Sequence, residues 1–353
     1  MKIIVDVGHP GHVHFYKNPV TNWEKRGHEV LVVARDKDLT VDLLKSFGIE
    51  HTKIGRSRNG LFMKGLDMAA KDIKLLKIAR KFKPDVFTGV FSPYASQVGS
   101  LMNKPSVIFN DTELVKFSKL VTHFASVICT PKCFRGRVEK NIRYNGYQEL
   151  AYLHPRYFKP DKSVLDELGI NGEKFIVIRL ISWSAYHDSK LKGLDHERLF
   201  ETIKLFEKAG RVFITSERKI NGHLRDYALN ISPEKIHSVL HYADLYFGEG
   251  GTMAVESALL GTPAIHVESE ENGKATGETS GNFVELRNEY DLLFFFADHD
   301  TAVEKAIELL ESDTTKREWQ KKRNKLTRDK IDVTEWVTKF VEKYPESFYE
   351  LSY

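Results

Sequence analysis

The feature that most constrains the fold of this 353-residue chain is a repeated alternation between short apolar runs and segments with helical spacing. The apolar runs are rich in β-branched residues and short, which is typical of strands buried on both faces of a parallel sheet. Alternating strands and helices therefore predict an α/β fold with doubly wound parallel sheets. In the first half, we predict strands over Lys2–Val7, Glu29–Ala34, Glu50–Ile54, Asp85–Gly89 and Ser106–Phe109.

The same alternation starts again in the second half, after a tyrosine- and proline-rich stretch over Ile142–Pro160. This stretch follows neither period, so we predict a linker. Because the chain is too long for one ordinary core, we predict a Rossmann-like domain over residues 1–150, a second over residues 151–330, and a last helix within 331–353 that packs back on the first domain. In the second half, we predict strands over Phe175–Ile181, Arg211–Thr215, Leu245–Phe247 and Pro263–Val267. We predict helices over His196–Ala209, Pro233–Tyr242, Thr252–Leu260 and Thr301–Leu310.

Composition excludes several classes of protein. Hydrophobic residues at 41% and charged residues at 29% are ordinary for a globular chain, and a net charge of +4 is too small for a dedicated nucleic-acid binder. The apolar run Ile3–Val7 is interrupted by Asp6 and is too short for a signal peptide or a membrane span. Cys129 and Cys133 fit neither a zinc nor a redox motif. We expect reduced thiols and a cytoplasmic protein, with peripheral contact at the inner face of the membrane left open.

The stretch "FGEGGTMAVESALLGTPAI" is the most informative one for function. It has the pattern strand, glycine turn, helix, glycine stop and strand. Gly250 and Gly251 permit a sharp turn, and Thr252 is a suitable N-cap. The free N–H groups of Thr252, Met253 and Ala254, together with the helix dipole, then predict an anion site at the start of this helix.

Glu256 lies in the same helix among apolar neighbours, so we expect it to be buried and to need a partner. A ribose diol behind the anion site is one partner. A capping-box glutamate is the alternative interpretation. A Rossmann dinucleotide site is not favoured, because G-E-G-G-T differs from G-x-G-x-x-G.

These residues carry a family resemblance. The segment "ADLYFGEGGTMAVESALLGTPAI" resembles the donor-nucleotide segment of GT-B glycosyltransferases and of non-hydrolysing UDP-N-acetylglucosamine 2-epimerases, and "ISPEKIHSVLHYADL" resembles the preceding helix. "GHPGHVHF" and "GVFSPYASQVGSL" resemble two loops of the peptidoglycan lipid-intermediate N-acetylglucosaminyltransferase. Nearly the whole chain resembles a domain-of-unknown-function family of GT-B-like proteins, with "KRGHEV" and "ARDKD" as further hallmarks. The resemblance implies two Rossmann-like domains that face each other across a cleft.

The resemblance also implies an activity. It implies a glycosyltransferase that is metal-independent and inverts the anomeric carbon. The donor would be a nucleotide diphosphate sugar, namely a UDP-sugar. The acceptor would be a hydroxyl group, including one on a lipid-linked molecule, and the product would enter surface polysaccharide. No cofactor and no metal ion are expected, since helix amides stabilise a leaving diphosphate. The alternatives are a sugar-nucleotide 2-epimerase and a non-catalytic nucleotide-sugar-binding protein. The donor side would comprise Gly250, Gly251, Thr252, Met253, Glu256 and His237, and the phosphate-binding candidates after strands are Ser182, Ser184 and Ser216.

The first loop carries the candidate base. Under the resemblance His12 faces the acceptor and takes its proton, with His14 as the reserve. Asn18 and Pro19 are able to start the first helix, which would lengthen this loop. One alternative is that the imidazoles only cap the helix. The other is an H-x-H metal site in a hydrolase barrel, with further ligands from His123, His154, His187 and His266.

The remaining polar and charged stretches each have a functional and a purely structural interpretation. Asn110, Asp111 and Glu113 follow a strand and would line the acceptor side, with Asp111 as an acid or base; the alternative is a helix cap at Asp111. The D-x-D patterns in "ARDKD" and "ADHD" are not expected to bind metal. The stretch over residues 61–83 is predicted to pack on the sheet rather than on a membrane, and "TKREWQKKRNKLTRDKID" is predicted to be a solvated helix face.

Overall fold

The computed structural model describes residues 1–36, 39–56, 61–113, 118–181, 191–194, 198–217, 220 and 222–352. The chain divides into two compact units. We call Met1–Tyr157 together with Ile331–Tyr353 the first unit, and Phe158–Lys330 the second unit.

The first unit is built on a parallel sheet in the order β3-β2-β1-β4-β5-β6-β7. Every residue of β4, β5 and β6, as bounded below, is buried, as expected for strands covered on both faces. The strands are β1 (Lys2–Val7), β2 (Glu29–Asp36), β3 (His51–Arg56), β4 (Val86–Val90), β5 (Ser106–Phe109), β6 (Val127–Pro131) and β7 (Asn141–Tyr144). The helices are α1 (Pro10–Lys25), α2 (Thr40–Ser46), α3 (Leu61–Phe82), α4 (Pro93–Leu101), α5 (Ser118–Phe124), α6 (Leu150–Leu153), α14 (Val333–Glu342) and α15 (Glu346–Ser352).

Helix α3 packs its apolar stripe on this sheet. Leu75 is fully buried in one core cluster with Ile4 and Phe87, whereas Lys74 and Lys77 are exposed. This confirms the packing prediction for the described part of residues 61–83; the side chains of residues 61–66 lie outside it. Within the described ranges, no helix combines the length and the apolar character that crossing a membrane requires.

Helix α1 is continuous through Pro19. Its N-cap is His9, whose Nδ1 accepts a hydrogen bond from the Gly11 N–H at 3.1 Å, and Pro10 occupies the first turn. The expectation that Asn18 and Pro19 start this helix is therefore wrong. An internal proline costs about 3 kcal/mol, but the helix buries a stripe that includes Trp23, which outweighs that cost.

The linker predicted over residues 142–160 is wrong for most of its length, although the boundary between the two units, after Tyr157, lies within it. It contains β7 and α6, and Tyr144 and Tyr147 are buried in the first unit. The C-terminal segment packs on it: the Ile331 N–H donates to the Asn145 carbonyl at 2.9 Å, and the Thr334 hydroxyl donates to the Ala151 carbonyl. The periodicity of the sequence does not predict this region, because its aromatic side chains pack against helices that lie far away in the chain.

The second unit is built on a parallel sheet in the order β10-β8-β11-β12-β14, with a short antiparallel pair, β13 and β9. The strands are β8 (Phe175–Leu180), β9 (Leu191–Lys192), β10 (Arg211–Ser216), β11 (Leu245–Gly248), β12 (Ala264–Val267), β13 (Ser269–Glu270) and β14 (Leu293–Phe296). The helices are α7 (Ser163–Leu168), α8 (Leu199–Phe206), α9 (Ile236–Tyr242), α10 (Gly251–Leu260), α11 (Gly281–Asn288), α12 (His299–Glu311) and α13 (Thr315–Asp329). The strand order reverses direction at β8, between β10 and β11, and ligands of open α/β sheets bind at such points.

Helix α13 is more than a solvated face, which corrects that prediction. The Lys316 ammonium donates to the His241 carbonyl at 2.7 Å and also to the Ala243 carbonyl, at the end of α9. Arg323 Nε donates to the Leu259 carbonyl at 3.3 Å, at the end of α10. Cationic donors at helix C-termini complement the helix dipole and satisfy free carbonyls. The basic residues of α13 thus secure the ends of two helices.

Candidate functional site

A glycine turn joins β11 to α10 at the strand reversal of the second unit. Gly248 has φ +153°, and a Cβ atom there would lie 2.4 Å from the Arg179 carbonyl oxygen of β8. Gly250 has φ +84° and is the N-cap of α10. Only glycine adopts these conformations without strain. The turn therefore lets the chain approach β8 closely before the helix begins.

The start of α10 differs from the prediction by one residue. Thr252 is not the N-cap, because the helix begins at Gly251. The free N–H groups are accordingly those of Gly251, Thr252 and Met253, the first residues of the helix. Thr252 is exposed and Gly251 is partly exposed. A ten-residue helix thus presents its positive end at the carboxyl edge of the sheet.

Glu249, which sequence reasoning did not single out, holds the turn in place. Its carboxylate is fully buried and accepts hydrogen bonds from the Ile181 N–H at 2.7 Å and the Leu194 N–H at 2.9 Å. The Tyr246 hydroxyl donates to the Glu249 carbonyl at 2.7 Å. Ile181, directly after β8, and Leu194, shortly after β9, are thereby both fastened to the glycine turn. The only sequence signal was an acidic residue between glycines.

Glu256 and His237, both predicted on the donor side, lie next to each other. Their exposed fractions are 5% and 3%, and His237 Nε2 lies 3.0 Å from Glu256 Oε1. Ser216, at the end of β10, is half-buried. Ser182 and Ser184 lie outside the described residues.

The charged groups that act on the buried Tyr246 phenol are three carboxylates and one guanidinium. The phenol of Tyr246 has its pKa raised, first by burial and then by Glu249, Glu256 and Glu268, while Arg179 lowers it. Two of these carboxylates are satisfied locally, Glu249 by two N–H groups and Glu256 by His237. The first turn of α10, where Thr252 is exposed, adds the positive end of the helix dipole to this site.

The histidines of the first unit have distinct environments. The Gly8 N–H donates to His12 Nδ1 at 3.4 Å, and since a backbone N–H can only donate, the neutral ring carries its hydrogen on Nε2. His12 is therefore arranged as a hydrogen-bond donor at the end of β1. His14 is buried, with its ring centroid 5.5 Å from that of Phe47 and 5.2 Å from that of Tyr152.

Asp111 follows β5 at the same edge of that sheet. Burial raises the pKa of its carboxyl to about 6, with a further contribution from the Glu113 charge and an opposing backbone hydrogen bond. Glu113 Oε1 accepts from the Arg135 N–H at 3.0 Å. Thr112 and Glu113 are not helical, so Asp111 is not the N-cap of a helix that begins directly after it. Asp111 is thus a half-buried carboxyl that titrates near neutral pH.

We expect this raised pKa to appear in stability measurements. Between its ordinary pKa and about 6, Asp111 binds a proton in the folded protein but not in the unfolded one. The free energy of unfolding of wild type relative to Asp111→Asn should therefore rise by about 2 kcal/mol as the pH falls from 7 to 4. Urea unfolding across this range measures it, and Asp42→Asn, at an exposed position, controls for the loss of one carboxyl group. A pH-independent difference would contradict the assignment.

A buried polar cluster that the sequence did not reveal lies where β1 meets β4. Asp6 is fully buried and accepts from Arg35 Nη1 at 2.8 and 3.1 Å and from the Ser92 hydroxyl. Phe91, just before Ser92, has φ +41°, which is strained for a bulky residue. The charge of Asp6 and burial raise the pKa of Asp72 to about 7. The one feature of the sequence that could have indicated this cluster is the charged residue Asp6 inside an apolar strand.

The fold excludes the barrel alternative and accounts for one of the two D-x-D patterns. Asp298 of "ADHD" is the N-cap of α12 and accepts from the Thr301 N–H at 2.9 Å, and Asp300 pairs with Arg198. In "ARDKD", residue 38 lies outside the described residues. Two open sheets exclude a single eight-stranded barrel. In the part of the chain that the structure describes, no three His, Cys, Asp or Glu side chains are grouped as metal ligands.

Comparison with known sequences identifies relatives over most of the chain. A sequence model of the family described as "Protein of unknown function (DUF354)" matches residues 1–338. An uncharacterised protein of Methanocaldococcus jannaschii is 26% identical over 286 residues, which cover 77% of this chain and 83% of that protein.

Solved structures share the fold. The spinosyn rhamnosyltransferase SpnG in complex with thymidine diphosphate has a TM-score of 0.61 at 14% identity, over 93% of this chain and 96% of its own. MurG of Acinetobacter baumannii has a TM-score of 0.57 at 14% identity, over 97% and 99%. A candidate UDP-N-acetylglucosamine 2-epimerase of Listeria monocytogenes has a TM-score of 0.60 at 12% identity, over 90% of each chain. These likenesses confirm the predicted α/β fold of the GT-B type.

Proposed function

This chain belongs to the DUF354 family, and from that premise and its GT-B fold we propose that it is a glycosyltransferase with a nucleotide diphosphate-sugar donor. We further propose that the donor is a UDP-sugar, that transfer inverts the anomeric carbon without a metal ion or other cofactor, and that the product enters surface polysaccharide. A cytoplasmic location, with peripheral contact at the membrane for a lipid-linked acceptor, belongs to the same proposal.

The observation that carries the proposal is the start of α10 with Glu256 behind it. The amides of Gly251, Thr252 and Met253 form an anion site at the strand reversal of the second unit, which suits a diphosphate. Glu256 lies in the second turn of the same helix, paired with His237, which suits hydrogen bonds to ribose hydroxyls. A thymidine diphosphate complex of SpnG, a protein of the same fold, supports a nucleotide ligand.

The proposed reaction is a direct displacement at the anomeric carbon of the donor sugar. An acceptor hydroxyl oxygen attacks the anomeric carbon, the bond from that carbon to the diphosphate oxygen breaks, and the nucleoside diphosphate leaves with the bonding electrons. We assign the hydroxyl proton to Asp111 rather than to His12, because the Asp111 carboxyl is ionised above pH about 6, whereas Nδ1 of His12 already accepts from the Gly8 N–H. His12 donates a hydrogen bond from Nε2. The helix amides stabilise the charge that develops on the leaving diphosphate.

A second candidate function is supported by the same carboxyl. A sugar-nucleotide 2-epimerase needs an acid or base near the second carbon of the sugar, and Asp111 has a suitable pKa of about 6. Proton NMR of a bound nucleotide sugar without acceptor separates the two functions. Inversion at the second carbon indicates an epimerase, slow release of nucleoside diphosphate indicates a transferase, and binding without either reaction indicates a binding protein.

We expect calorimetry to detect binding of a uridine or thymidine diphosphate or its sugar to wild type. Glu256→Gln should weaken that binding roughly 10- to 100-fold, because a charge-assisted hydrogen bond to ribose is lost while the amide oxygen still accepts from His237. Glu304→Gln, at an exposed helical position of the second unit, is the control. The proposal fails if wild type binds none of these nucleotides, or if both variants bind them equally.

A further inference from the structure

Several buried polar atoms in the described part of the first unit have no hydrogen-bond partner, and three of them belong to residues at one edge of its sheet. Among the residues that the structure describes, Asn110 Oδ1, the Tyr144 hydroxyl and Gln148 Nε2 have no hydrogen-bond partner. Their side chains are only 3%, 1% and 6% exposed. Buried polar atoms in native proteins are nearly always paired, and an unpaired one lowers stability. Three such atoms in one region therefore require an explanation.

These residues follow neighbouring strands at one edge of the sheet. Asn110 comes directly after β5, Tyr144 ends β7, and Gln148 lies in the turn after β7, with β6 between the two strands. Carboxyl ends of parallel strands meet at the same edge. The charged groups that bear most on the Tyr144 hydroxyl are Asp111 and then Glu149. The Asp111 carboxyl, to which we assign proton transfer, is thus near enough to the Tyr144 hydroxyl to raise its pKa, and it directly follows Asn110 in the chain.

The orientations of the unmet groups are determined by their neighbours. The Asn110 amide nitrogen donates to the Thr112 carbonyl at 3.0 Å, and since a carbonyl can only accept, the unmet atom of this amide is the oxygen. The Tyr144 ring lies 4.9 Å from the Trp336 ring, centroid to centroid. A phenylalanine would make the same ring contact. The hydroxyl is therefore not needed for packing.

We propose that Asn110, Tyr144 and Gln148, together with Asp111, form a subsite for the hydroxyl groups of a neutral sugar acceptor. This inference rests on the proposed function and names the acceptor class. An amide oxygen, a phenol, an amide N–H and a carboxylate offer both acceptors and donors, which matches sugar hydroxyls that donate and accept together. A phosphate is disfavoured, because the nearest charges on Tyr144, those of Asp111 and Glu149, are negative.

The test uses the full chain and free methyl glycosides as probes. We expect saturation-transfer NMR to detect binding of at least one of the methyl glycosides of glucose, galactose, mannose and N-acetylglucosamine to wild type. Tyr144→Phe should weaken that binding at least tenfold without lowering the melting temperature, because it removes only an unpaired hydroxyl. Its affinity for the nucleoside diphosphate should stay within twofold of wild type.

Tyr16→Phe is the matched control. The Tyr16 phenol is equally buried in the first unit, but its hydroxyl is paired with the Thr88 hydroxyl at 2.8 Å. This variant should lose stability and keep glycoside binding, the reverse of Tyr144→Phe. Gln148→Met, which keeps the side-chain length, should weaken glycoside binding as Tyr144→Phe does.

Two results would overturn the inference: no glycoside binds to wild type, or Tyr144→Phe and Gln148→Met bind it as wild type does. Either result would assign the unmet atoms to internal water. The proposed function fails separately, through absent nucleotide binding in calorimetry. Nucleotide binding without glycoside binding therefore refutes the acceptor class alone.

Discussion

Gly248→Ala is expected to lower the free energy of unfolding by about 3 kcal/mol or more. Gly248 pairs in register with Arg179 of β8, and an added Cβ would lie 2.4 Å from the Arg179 carbonyl oxygen and 2.7 Å from its backbone nitrogen. Both are backbone atoms in the centre of a sheet and have no room to move. The φ of +153° adds strain for any residue with a side chain. Urea unfolding monitored by circular dichroism measures the loss.

Gly273→Ala separates steric clash from backbone strain. Gly273 also has a positive φ, +77°, but among the described residues no atom lies within 4 Å of a Cβ built there. This variant should lose only about 1 kcal/mol. Equal losses at the two positions would show that contact between the turn and β8 is not what requires glycine at Gly248.

Glu249→Gln has the second-largest expected effect. The buried carboxylate accepts from two backbone N–H groups, those of Ile181 and Leu194. An amide of the same shape has one oxygen, so its NH2 group would face one of these donors and leave it unpaired. We expect a loss of about 2–4 kcal/mol in the free energy of unfolding, and weaker binding of nucleoside diphosphates because the turn is no longer fastened to the segment after β8.

Glu217→Gln provides the comparison for Glu249→Gln. The Glu217 side chain is 46% exposed and pairs with Arg179 at 2.6 Å. Exposed ion pairs contribute about 0–1 kcal/mol, so this variant should unfold nearly as wild type does. If Glu249→Gln unfolds and binds nucleotides as Glu217→Gln does, the fastening role of Glu249 is wrong.

Much of the fold was predictable because it depends on local pattern. Strands such as Lys2–Val7 and Ser106–Phe109 were predicted with their observed bounds, since a strand buried on both faces is a short, mostly apolar run. The strand predicted over Asp85–Gly89 differs from β4 by one residue at each end. The glycine turn before α10 was also predictable from the local sequence. The N-cap of α10, however, was predicted at Thr252, two residues after its observed position at Gly250.

The errors share one physical cause, which is packing between distant parts of the chain. Residues 142–160 lack a period, yet Tyr144 is buried against Trp336 of α14. Pro19 is tolerated inside α1 because the apolar stripe of that helix is buried. Lys316 looked like part of a solvated face, but its ammonium bonds the carbonyls at the end of α9.

The sequence by itself determined the α/β class, the parallel sheets, the glycine turn and the presence of Glu256 in a buried helix, because these depend on residue period and on backbone conformations that only glycine adopts. Which polar groups form hydrogen bonds with one another depends on the tertiary fold. Glu249 finds its N–H donors at Ile181 and Leu194, and Glu256 its partner at His237. Hydrogen bonds and burial join residues that the chain separates, so no local pattern specifies them. The unmet atoms of Asn110, Tyr144 and Gln148 became visible in the same way.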